Sequence, residues 1–142
     1  VPEGIQLLSA SPLAWPDTSL YILAGNRPGE GTTLRLEQEN GRTKLGSFFV
    51  VPRGEAVDLT FRYTLPPDTV HKGADGTWTY SLYLQKQPGT HGDAVSVRIR
   101  LPRGARTVYT EPQATSFEDG TQEFSLHLQR DTRITVRFQP PG

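Results

Sequence analysis

The chain has 142 residues, with fifteen basic and fifteen acidic side chains and neither cysteine nor methionine. Zero net charge offers no field to gather nucleic acid or an anionic membrane, and the missing cysteines exclude disulfide scaffolds, thiolate metal sites and cysteine nucleophiles. No apolar run reaches the ~20 residues of a membrane span, so this segment is not expected to insert into a bilayer.

That length fits one domain, 1–142, which can bury roughly 68–70% of its unfolded surface without a disulfide or metal. Fourteen glycines and twelve prolines stay short of the proportion that marks disorder and point to a folded domain with many turns. The chain opens on "VPEG", and "VPRG" ending at Gly54 and "LPRG" at Leu101–Gly104 repeat it. Proline at i+1 and glycine at i+3 of a type I turn would stop a strand at each place. By that logic Val1 ends a strand begun upstream, and the sequence is expected to be a piece of a longer protein.

Trp15 lies between prolines in an expected loop. "QENGRT" sets Asn40-Gly41 between Leu36 and Leu45, the strongest short hairpin signal, because a type I′ turn needs positive φ twice. "LGSFFVV" is apolar on both faces, with Leu45, Phe49 and Val51 on one and Phe48 and Val50 on the other. Either "SLYILAG" covers its second side or a bulge changes its facing, or Phe48 marks a patch for a partner. Strict alternation follows: Val57, Leu59, Phe61, Tyr63 and Leu65, then Trp78, Tyr80, Leu82 and Leu84, then Val95, Val97, Ile99 and Leu101. Phe124, Leu126 and Leu128, and finally Ile134, Val136 and Phe138, repeat the pattern. Residues two apart share a face of a strand, so each segment buries one face and wets the other, as antiparallel sheets do.

Between these strands lie the chemistry-bearing loops. "PGTHGD" leads into a strand and not a helix, which removes the phosphate-cradle reading. His91 and Asp93 have no nucleophile-elbow serine to activate, so the segment reads as a hairpin loop, and "LQRDTRI" as a second, tight one. His71, His91 and His127 lack metal-ligand spacing. Asp75 in "KGADGTW" and Asp119-Gly120 in "SFEDGT" read as turns, calcium being the alternative. Glu37, Glu39, Glu55, Asp58 and Glu118 fall on wet faces or turns, and none forms the carboxylate pair of a glycosidase.

Arg35, Arg62, Arg98, Arg100, Arg133 and Arg137 occupy the wet faces. They are either a basic strip for an acidic polysaccharide or solvated residues with cross-strand partners such as Glu37, Asp58 and Glu123. Tyr83, off the core parity of its strand, and Trp15 are the aromatics best placed to stack on a sugar.

"KLGSFFVVPRGEAVDLTFRYTLPP", "YSLYLQKQPGT" and "VSVRIRLPRG" together resemble the C-terminal region of domain-of-unknown-function family four thousand and twelve, with Gln85 to Gly89 the most specific match. The resemblance implies a bacterial envelope protein held to the membrane by an upstream segment, and it carries over no catalytic residues. The expected fold is an all-β, immunoglobulin-like antiparallel β-sandwich of about seven to nine strands. The expected function is a non-catalytic extracytoplasmic module, a spacer or protein-interaction domain touching neighbouring domains or another envelope protein, without cofactor, metal or nucleic acid. The alternative is a carbohydrate-binding module for surface polysaccharide. Under either reading the interaction surface of the domain is expected among Phe48, Tyr83, Trp15, Arg98 and Arg100.

Overall fold

The computed structural model describes residues 1–11, 23–25, 35–46, 49 and 51–141. Trp15 and Phe48 lie outside these residues. The chain divides into two compact units, Val1–Pro67 and Asp68–Gly142. Among the described residues both are built of antiparallel sheet, so the all-β expectation is met.

Among the described residues the first unit holds two strand pairs. β1 (Gln6–Ala10) pairs with β4 (Phe61–Thr64), with a bulge between Leu7 and Ser9. β2 (Arg35–Glu39) pairs with β3 (Arg42–Gly46) through Asn40 and Gly41, whose φ values of 52° and 69° make the expected type I′ turn. Val1 continues that ladder: its carbonyl accepts the Thr43 N–H at 3.1 Å. The alternation around β4 is shorter than expected. Phe61 and Tyr63 are half-buried, but Val57 and Leu65 lie outside the strand and are exposed. β1 offers five residues for pairing, and Pro66-Pro67 cannot donate to a continuing ladder.

The second unit is a sandwich of seven strands. β5 (Val70–Lys72), β6 (Trp78–Leu84), β11 (Thr132–Gln139) and β8 (Arg106–Glu111) form one sheet in that order. β7 (Asp93–Arg100), β10 (Thr121–Leu128) and β9 (Ser116–Glu118) form the other. The core between them contains Leu101, Ala114, Phe124, Ile134, Val136 and Phe138, with Trp78, Leu82, Val97, Ile99 and Leu126 packed against it. All these positions except Ala114 were apolar by alternation, and Phe124, Ile134 and Val136 are fully buried.

The connections differ from the expected ones. β6 and β7 belong to different sheets, as do β10 and β11, so "PGTHGD" and "QRDT" are arches between layers and not hairpins. The constant-type immunoglobulin order places the fifth strand between the second and the fourth. Here the seventh strand, β11, takes that place, and the fifth, β9, lies beside β10. Turn chemistry accounts for the exchange. Asp119 (φ 47°) and Gly120 (φ 74°) supply the type I′ turn that holds β9 and β10 side by side. No residue between β10 and β11 has positive φ, so that connection cannot make the same turn and crosses over.

The Pro-x-Gly ends also form a different turn. The Glu55 N–H donates to the Pro52 carbonyl at 3.1 Å and the Ala105 N–H to that of Pro102 at 3.0 Å, with Gly54 and Gly104 at φ 80° and 83°. Proline is therefore residue i and glycine i+2 of a type II turn.

Candidate functional site

The two arches meet. The Asp131 carboxylate, between β10 and β11, accepts the Tyr83 hydroxyl and, at 2.9 Å, the Lys86 backbone N–H. The Lys86 ammonium donates to the Thr90 carbonyl at 2.8 Å and to that of Gln87 at 3.0 Å. "QKQPGT" is thus a loop organised around its lysine. Gly92, at φ 109°, lies so close to the other arch that a Cβ there would stand 3.1 Å from Gln129 Cγ. The Tyr83 hydroxyl and then the Lys86 N–H hold the Asp131 carboxyl below the usual carboxylate range, since both favour its charged form. His91 and Asp93 are exposed at the end of the first arch, and the groups that order it are Lys86 and Asp131.

Arg98 and Arg100 point away from the core on β7. Arg98 faces Glu123 across the β7–β10 ladder and donates to it at 3.0 Å, while the Ser116 hydroxyl donates to the same carboxylate at 3.1 Å. These contacts, Arg98 first, lower the proton affinity of Glu123. The cross-strand pairing weighed for the arginines is realised here. Arg100 borders an open cleft of about 570 Å³ walled by the turns Leu101–Ala105 and Asp119–Gly120.

The outer face of the four-stranded sheet carries a different set. Register places Tyr83 opposite Arg133, Ser81 opposite Thr135, and Thr79, Arg137 and Tyr109 in one row across β6, β11 and β8. His71 extends that row on β5. The Arg137 guanidinium donates to Asp75 at 2.9 Å and to the Thr77 hydroxyl at 3.2 Å. Asp75 also accepts the Thr77 hydroxyl at 2.7 Å and its N–H at 3.1 Å. Those two bonds come first among the causes that lower its pKa, ahead of the Arg137 charge. The Tyr109 hydroxyl donates to Glu111 at 2.9 Å, and the carboxylate beside it pushes the phenol above its usual range. Tyr83 and Tyr109 remain 42% and 46% exposed.

The arginines therefore do not form one strip. Arg98 and Arg100 lie on the outer face of one sheet, Arg133 and Arg137 on that of the other, and Arg35 and Arg62 in the first unit. Of the expected interaction residues, Arg98 and Arg100 share a face and Tyr83 stands on another. Tyr109 was not singled out in the sequence. Its strand "RTVYTE" has a bulge at Val108 that re-aims it, which hides its facing from period-two counting. Among the described residues no group of three or more His, Asp or Glu side chains is placed to hold a metal ion. No protein-family model, curated protein or solved structure matches the chain.

Proposed function

We propose that the chain is a non-catalytic extracytoplasmic module of a bacterial envelope protein, acting as a spacer or protein-interaction domain. The envelope setting rests on the resemblance carried by Gln85 to Gly89. The interaction role rests on β7, an eight-residue strand that among the described residues pairs with β10 alone. Such an edge presents a row of backbone donors and acceptors to which a neighbouring protein can add a strand. Arg98 and Arg100 on this strand give the edge a charged guard against indiscriminate pairing.

A chain without cysteine makes the test clean. Ser96→Cys on β7 and Ser125→Cys on β10 place single thiols opposite one another on the outer face. A membrane-impermeant maleimide should label Ser125→Cys in intact cells, and label Ser96→Cys more slowly there than in the purified protein. Labelling of Ser125→Cys only after lysis would refute the location. Equal labelling of Ser96→Cys in both settings would refute a partner at β7.

A second reading, carbohydrate binding, is favoured by the two exposed tyrosines on the outer face of the four-stranded sheet.

A further inference from the structure

We propose that the outer face of the β5–β6–β11–β8 sheet binds an extended, uncharged glycan chain lying diagonally from Tyr83 to Tyr109. The inference rests on the carbohydrate reading and names the face, the ligand charge and the direction of the chain.

Three features support it. First, the tyrosines mark the two ends of a diagonal track across the sheet. Arg133 and Arg137, their cross-strand partners, are four residues apart on β11, and the tyrosines flank that strand on opposite sides. With a rise of about 3.3 Å per residue and about 4.8 Å between strands, the two phenols stand on backbones about 16 Å apart, a span of a few pyranose rings. Second, the polar groups are held in place beforehand. Asp131 fixes Tyr83, Glu111 fixes Tyr109, and Asp75 with Thr77 fixes Arg137. Side chains already immobilised lose little further freedom when a ligand lands on them. The Ser81 and Thr135 hydroxyls lie between the two ends, and Arg133, exposed and without a partner among the described residues, leaves a guanidinium fork for neighbouring hydroxyls. Third, the track carries three carboxylates, Glu111, Asp75 and Asp131, against the two guanidiniums of Arg133 and Arg137. An anionic polymer would meet all three carboxylates along it. A neutral one meets paired donors and acceptors and apolar ring faces.

The test is an array of neutral and anionic bacterial-surface oligosaccharides, from di- to hexasaccharide, probed with the full chain at low and high salt. Retention on neutral glycans is expected, rising with chain length and unchanged by salt. Tyr109→Ala should weaken it by about tenfold, the scale of one lost stacking contact, and Tyr109→Phe should largely preserve it. Unchanged thermal unfolding of both variants separates lost contact from lost fold. No retention of any glycan, retention of anionic glycans alone with loss in high salt, or indifference to Tyr109→Ala would each overturn the proposal. None of these outcomes alters the maleimide result, which tests the envelope module by itself.

Discussion

Asp131 shows how much one side chain contributes when it joins two loops. It ties the arch after β6 to the arch before β11, and its proton affinity is lowered by the bonds it accepts. Asp75 and Glu123 are lowered in the same way by Thr77 and by Arg98. A carboxylate whose folded pKa lies below its unfolded value stabilises the fold fully above the unfolded value, and that contribution is lost as pH falls through the folded one. Stability should therefore decline as pH drops below about 4, the ordinary carboxylate range, and the decline should be shallower in Asp131→Asn. Urea midpoints across that range check this, and identical slopes for the two proteins would refute it. Little of this was legible in the sequence. "QRDT" identified a turn, but that its aspartate meets Tyr83 and Lys86, more than forty residues away, depends on two arches sharing one end of the sandwich.

At the scale of elements, two-residue turns decide which strands become neighbours. Asn40-Gly41 and Asp119-Gly120 both adopt positive φ at both positions, and both were readable because few residues tolerate that conformation. Gly120 has open space around the position of a Cβ, so Gly120→Ala isolates the backbone cost. A loss of about 1–2 kcal/mol is expected, seen as a lower thermal midpoint. Gly92→Ala should cost more, because Gln129 must also move. A smaller loss for Gly92→Ala than for Gly120→Ala would show that the arches are not packed as described. The arches themselves were misread as hairpins. Turn-forming residues such as Pro88, Gly89 and Gly92 satisfy the φ needs of an arch as well as those of a hairpin, and composition does not tell the two apart.

At the scale of the whole molecule, the second unit stands on one core, with Phe124 from one sheet and Ile134 and Val136 from the other fully buried at its centre. Phe124→Ala should cost about 3–5 kcal/mol, because the cavity between two sheets can collapse only in part. Chemical denaturation measures this, and a loss under about 1 kcal/mol would place Phe124 outside the core. The sequence by itself determined that the protein is all-β and which side of most strands faces inward. Alternation is a local property set by the pleat, and a burial pattern two residues long survives any arrangement of the strands. Which strands share a sheet, that β11 inserts between β6 and β8, and that Tyr83 and Tyr109 look out from one face while Arg98 and Arg100 look out from the other were decided only by tertiary structure. Those facts depend on hydrogen bonds between segments distant along the chain, and the period of a single strand holds no record of its neighbour.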